Sequence, residues 1–185
     1  MNRHDFIAAR DDCLLLVIDI QQAMVKVIET WQQIVRRVNQ LTQAAEALGV
    51  PILLTEQYPK GLGTTIPEVI NPIHSPKVFP KEHFSAVLEA DFPALIDSYQ
   101  RRKIVVVGME THVCVLQTSL DLIKEGYQIH LVADGVGSRA NRNRELAIEL
   151  LRQAGAVVTS TEIVIFQWAW RANTEDFRRI LPIVR

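Results

Sequence analysis

The sequence predicts a three-layer α/β/α domain of Rossmann-like type, with a central, mostly parallel sheet between two layers of helices. Three observations predict it. Leu14 to Ile20 is a near-continuous apolar run broken at Asp19, the pattern of a strand covered on both faces. Lys103-Ile104-Val105-Val106-Val107-Gly108 is a second such run, largely β-branched and stopped by glycine. Between and after these runs, amphipathic stretches alternate with short apolar ones through brief connections, which right-handed strand-helix-strand crossovers require.

Each element follows from local chemistry. A helix should come directly after the first strand, with Asp19 as its N-cap and Gln22 as capping-box partner. The clearest helix runs from Trp31 to Leu48, placing Trp31, Ile34, Val35, Val38, Leu41, Ala45 and Leu48 on one face. Thr30 reads as its N-cap, Gln33 as the capping-box partner and Gly49 as its stop. Pro51 opens strand two over Ile52 to Thr55. Residues 56–85 read as irregular, because Pro59, Gly61, Gly63, Pro67, Pro72, Pro76 and Pro80 break any long element, and a loop region of that length is more often functional than idle. A short helix from near Asp91 leads into strand Ile104 to Val107, and a helix over Val113 to Lys124 ends before Gly126. Tyr127 to Val132 is the next strand, Asn141 to Gln153 a helix closed by Gly155, and Ala156 to Val158 the last strand. Thr161 to Trp170 crowds Ile163, Val164, Phe166, Trp168 and Trp170 into a helix that packs on the core or on another subunit.

With 185 residues the chain fits one domain, 1–185, large enough to bury about 70% of the surface its unfolded form exposes. Twenty basic and 21 acidic residues leave a net charge of −1, so there is no electrostatic footprint for nucleic acid and no polybasic membrane anchor. Small molecules are the expected partners. No apolar stretch approaches the roughly 20 residues that cross a bilayer. The first ten residues carry Arg3, His4, Asp5 and Arg10 instead of a signal-peptide core, so a cytoplasmic protein is expected. Two cysteines are too few for a disulfide framework. Cys13 opens strand one while Cys114 lies beyond the end of its own strand, which at about 3.3 Å per residue separates them by about 20 Å.

Cys114, in Gly108-Met109-Glu110-Thr111-His112-Val113-Cys114-Val115, sits where a buried strand hands over to a helix, the place where open α/β sheets put their chemistry. If Thr111 caps that helix, the thiol lies in the first turn, where unpaired amides and the helix dipole favour thiolate. A cysteine flanked by Val113, Val115 and Leu116 also reads as a small buried hydrophobe, and the spacing leaves both readings open. Asp19 would share the carboxyl edge with Cys114 and could accept a thiol proton, or simply cap a helix. Lys81, in Pro80-Lys81-Glu82-His83-Phe84-Ser85, taken alone is a solvated charge. For His83 and His112 a structural role is expected. No histidine pair has zinc-ligand spacing with the cysteines, and Gly61-Leu62-Gly63 lacks the third glycine of a dinucleotide fingerprint. Asp134-Gly135 reads as a turn, with Arg139 at a pocket rim or a subunit contact.

Taken together, Asp19 in Val17-Ile18-Asp19-Ile20-Gln21, Lys81 three residues before Phe84-Ser85, and Cys114 in GMETHVCVLQT resemble the isochorismatase-like cysteine hydrolase superfamily. The similarity runs from about Leu14 to Phe166, and the TEQYPKGLG and DGVGSR stretches look closest to the isochorismatase domain-containing branch. The resemblance implies an Asp-Lys-Cys triad: Asp19 as general base, Lys81 assisting thiolate formation, Cys114 as nucleophile. It also implies a cis peptide at Met109-Glu110, an oxyanion hole from the amides of Glu110 and Cys114, a homo-oligomer and no cofactor. The reaction it implies is hydrolysis of a small amide or carbamoyl C–N bond through a thioester, with Gln57 and Tyr58 lining the substrate pocket.

Two departures narrow this. Nicotinamidases carry an Asp-x-His metal motif after strand two, where this chain has Thr55-Glu56-Gln57-Tyr58-Pro59, so no metal is expected. True isochorismatases do not retain the cysteine nucleophile, so Cys114 argues against vinyl-ether cleavage. A redox-sensitive thiol and a non-catalytic binding protein on the same fold are the competing classes.

Overall fold

The computed structural model describes residues 3–185. Along the chain it forms β1 (Cys13–Ile18), α1 (Gln22–Val25), α2 (Trp31–Leu48), β2 (Ile52–Gln57), α3 (Pro59–Leu62), α4 (Pro67–Ile70), β3 (Lys77–Lys81) and α5 (Phe92–Ser98). Then come β4 (Lys103–Met109), a π-helical turn over Thr111–Val115, α6 (Leu116–Lys124), β5 (Gln128–Gly137), α7 (Asn141–Gln153), β6 (Val157–Thr159), α8 (Thr161–Ala169) and α9 (Glu175–Val184). The strands pair in parallel in the order β3-β2-β1-β4-β5-β6.

Strand alternation builds the two interior layers. Cys13, Leu15 and Val17 of β1 face a core closed by α2, α8 and α9, through Ile34, Val38, Leu41, Ile165, Trp168 and Ile180. Leu14, Leu16 and Ile18 face the other, closed by α5, α6 and α7 through Phe92, Ile96, Leu122 and Leu151. Because β1 is followed outward by β2 and β3 while β4 returns to its other side, the strand order reverses between β1 and β4. Residues leaving those two strands therefore open a crevice at the carboxyl edge.

The helices over Trp31–Leu48 and Asn141–Gln153 match the sequence reading. Other expectations need correction. Thr30 makes no side-chain cap and Gln33 completes no capping box, since Thr30 has a ψ of 11° and not the extended value an N-cap needs. Asp19 caps nothing either: its φ is 52°, and α1 begins only after Gln21. The loop 56–85 hides an edge strand, β3, which tolerates Pro80 because its outer side has no neighbour to bond. Asp134-Gly135 is no turn but part of β5, where Asp134 Oδ1 accepts the Thr161 N–H at 2.8 Å and so caps α8. The C-terminal helix α9 lies beyond the aromatic stretch, capped by Thr174, whose hydroxyl accepts the Phe177 N–H at 3.2 Å.

One buried group makes stability depend on pH. His130, on β5, is fully buried with both ring nitrogens unpartnered among the described residues, and burial lowers it to about 4, helped by Lys103 and opposed by Asp12. The unfolded chain takes up this proton near 6.5, the folded one only near 4. His130 is therefore without penalty above about pH 6.5, and stability falls as pH drops toward 4, by about 3 kcal/mol. Chemical denaturation at pH 7 and pH 4.5 should show a smaller loss in His130→Leu than in wild type; equal losses would contradict this.

Candidate active site

Four adjacent strands deliver one side chain each to the crevice. Lys81 is the last residue of β3, Gln57 the last of β2, Asp19 the first after β1, and Cys114 follows β4 in the π-helical turn. Neighbouring strands lie about 4.8 Å apart, so a group on β3 needs the length of lysine to pass β2 and reach β1. Lys81 Nζ lies 2.8 Å from Asp19 Oδ2, both side chains being sealed from solvent. The ammonium also donates to Gln57 Oε1 at 2.5 Å and to the Phe84 carbonyl at 3.2 Å.

The carboxylate is fixed from its other side, with Thr55 donating its hydroxyl to Asp19 Oδ1 at 2.6 Å. Asp19 Oδ2, for all its closeness to the ammonium, accepts no well-aligned hydrogen bond among the described residues. The ammonium occupies one side of that oxygen, and its second lone pair is left to accept a proton. The Cys114 thiol donates to Gln57 Oε1 at 3.8 Å, a long sulfur contact, so Gln57 joins the thiol to the lysine.

Gly108 makes the convergence possible. Its φ is 133°, and a Cβ there would stand 2.0 Å from the Ile18 carbonyl oxygen. Only glycine lets β4 pass this close to the end of β1, setting the turn that carries Cys114 against Asp19. The Met109–Glu110 peptide bond that follows is cis.

The expected thiolate is not the resting form. Burial and the neighbouring Asp19 together push the Cys114 thiol up to about 12, with Lys81 pulling the other way without prevailing. The helix-start argument fails at its first step, because the Thr111 hydroxyl has no partner among the described residues and caps nothing. Cys114 is thus a neutral thiol beside a carboxylate.

Of the pocket residues read from the sequence, Gln57 lies deep inside, its amide N–H donating to the Gln21 Oε1 at 2.8 Å and its Nε2 to the Glu82 carbonyl at 2.6 Å. Tyr58 faces outward with half its surface exposed, and its N–H donates to the Lys81 carbonyl at 2.7 Å. His112 pairs with the Ser138 hydroxyl and His83 with Glu89, each at 3.0 Å. Thr55 and Gln21 went unnoticed in the sequence; the only signal was their place at strand ends beside Gln57 and Asp19. No three His, Cys, Asp or Glu side chains form a metal cluster among the described residues. A cleft of about 810 Å3 lies at the opposite edge of the sheet, by Asp12, Lys103 and Tyr127, far from this chemistry.

Residues 13–163 match the Isochorismatase domain family. The chain belongs to that family. Isochorismatase family protein 1B of Dictyostelium discoideum is 37% identical over 175 residues, covering 92% of this chain and 85% of the relative. The structure described as the MAR1 ribonuclease of Caenorhabditis elegans superposes with a TM-score of 0.88 at 32% identity, over 95% of this chain and 91% of that one. The YcaC gene product of Escherichia coli, described as an octameric hydrolase of unknown specificity, shares the fold with a TM-score of 0.88 at 20% identity, over 98% and 94%. Membership in the isochorismatase family supports a hydrolase. No helix among the described residues is long and apolar enough to cross a membrane.

Proposed function

We propose that this isochorismatase-family protein hydrolyses a small amide or carbamoyl C–N bond through a thioester on Cys114. The observation that carries the reading is the buried meeting of a thiol, a carboxylate paired with a lysine, and a glutamine that bridges the lysine to the thiol. Asp19 takes the thiol proton as sulfur attacks the carbonyl carbon, so the thiolate forms only as its bond to carbon forms. Lys81 keeps its own proton and balances the charge that builds on sulfur. The carbonyl oxygen becomes an oxyanion facing the amides of Glu110 and Cys114. Asp19 then gives its proton to the departing nitrogen, the C–N bond breaks, and ammonia or an amine leaves the thioester. Asp19 next takes a proton from water, hydroxide adds to the thioester, and the sulfur leaves to be reprotonated. Water is the second substrate, and no step calls for an organic cofactor or a metal.

A resting thiol near 12 also speaks for hydrolysis over redox sensing, which depends on standing thiolate. The substrate enters past Tyr58, which is half exposed and whose N–H donates to the carbonyl of Lys81 at the end of β3. Assembly into a homo-oligomer belongs to the same proposal, supported by the exposed Ile163, Phe166 and Trp170 along and just past α8.

A panel of small amides, carbamates and ureides, with a single-stranded RNA as a separate arm, tests the reading. Wild type should release ammonia or amine from at least one of the first three classes. Asp19→Asn should lose about 10³-fold in kcat. Full activity in that variant, or turnover of RNA alone, would contradict the proposal.

A further inference from the structure

We infer that Arg139 is a positioning residue for the nucleophile turn, acting through the Glu110 carboxylate. The inference rests on the reading of Cys114 as nucleophile and adds to it what holds the turn in place.

Glu110 is the residue between the end of β4 and the turn, and its side chain is only 7% exposed. A carboxylate that deep needs partners, and it finds two on a single residue. The Arg139 backbone N–H donates to Oε1 at 3.0 Å and the guanidinium Nε–H to the same oxygen at 2.9 Å. Burial raises the Glu110 carboxyl, but the Arg139 bonds and charge, with His112 beside them, outweigh it and hold the group low. The pair is ionised at neutral pH and its bonds are charge-assisted.

The place of the contact gives it a purpose. Gly137, the last residue of β5, is in register with Met109, the last of β4, so Arg139 follows directly where the two strands end side by side. The Glu110 carbonyl in turn accepts the N–H groups of Val113 and Val115, at 3.1 and 3.3 Å. Glu110 is thus tied to β5 through its side chain and to the residues on either side of Cys114 through its main chain. Ser138 adds a second tie through His112 Nδ1, at 3.0 Å. An ordinary surface ion pair constrains little, but here one member is buried and carries the nucleophile turn on its carbonyl. The Arg139 side chain is itself 61% exposed, so shortening it removes the charged guanidinium bond, leaving the weaker backbone one, without opening the core.

The test uses p-nitrophenyl acetate, an activated ester that acylates reactive thiols, with burst and steady-state release of p-nitrophenol recorded alongside thermal midpoints. Arg139→Ala should lower the burst rate and kcat about tenfold, with KM within about twofold of wild type. Glu110→Gln, which keeps an acceptor oxygen toward Arg139, should fall between wild type and Arg139→Ala. Adding Arg139→Ala to Glu110→Ala should cost nothing beyond Glu110→Ala alone, because Glu110→Ala already removes the bond that Arg139→Ala breaks. An Arg139→Ala enzyme with wild-type kcat, a loss confined to KM, or losses that multiply in the double variant would each overturn the inference while leaving Cys114 as nucleophile. A wild-type burst that persists in Cys114→Ala would overturn the nucleophile and the inference together.

Discussion

Replacing Cys114 with alanine should lower turnover about 10⁴-fold or more and leave the fold intact, because on the proposed reading it is the thiol that attacks carbon. Asp19 is held by Thr55 and Lys81, Lys81 by Asp19 and Gln57, and neither can move to replace a missing sulfur without abandoning a buried partner. Removing the sulfur takes one atom from the core cluster around Leu16, Ile18 and Val115, a cost of about 1 kcal/mol. Cys114→Ser keeps size and a proton to transfer but offers a far weaker nucleophile, so it should fall nearly as far. The neutral resting thiol predicts a second signature. Alkylation of Cys114 by iodoacetamide should climb with pH, without a plateau, up to the limit of the folded state, because the thiol stays protonated to about 12. A plateau near neutrality would mean a preformed thiolate.

Gly108→Ala should be the most damaging single-methyl change in the protein. The added carbon would meet the Ile18 carbonyl at 2.0 Å, and backbone, unlike a long side chain, has no rotamer in which to escape. Either β4 separates from β1 or the chain reverses its direction at residue 108; both move Asp19 and Cys114 apart. A loss of about 4 kcal/mol or more is expected, equivalent to a fall in thermal midpoint of about 10 °C or more. Gly49→Ala is the control. Its φ is also positive, at 73°, but a Cβ there meets nothing within 4 Å, so it should cost only about 1 kcal/mol. Equal losses in the two variants would show that backbone conformation alone, and not the approach to Ile18, makes glycine necessary at 108.

What the sequence revealed follows from the reach of its signals. Periodicity placed the helices over Trp31–Leu48 and Asn141–Gln153, because their buried faces recur every turn. Prolines concealed β3, since Pro80 within it is tolerated only at a sheet edge and edge position is a property of the whole sheet. The candidate site residues were legible as three motifs, and the structure pairs Lys81 with Asp19 directly and links it to Cys114 through Gln57. Three details were beyond the sequence. That Gln57 sits between the lysine and the thiol depends on four strand ends lying in one order. That Cys114 is neutral depends on burial, which the first-turn argument left out. That Arg139 holds Glu110 depends on β5 running past Asp134-Gly135 to finish beside β4, where local turn chemistry suggested it had already stopped.

The most direct test of the central claim is to quench wild-type protein during turnover of p-nitrophenyl acetate and locate any bound acyl group by peptide mass spectrometry. An acyl group on the peptide carrying Cys114, released by hydroxylamine and absent from Cys114→Ala, is the expected result. Turnover that proceeds with Cys114 unmodified, or at full rate in Cys114→Ala, would contradict covalent catalysis at this site.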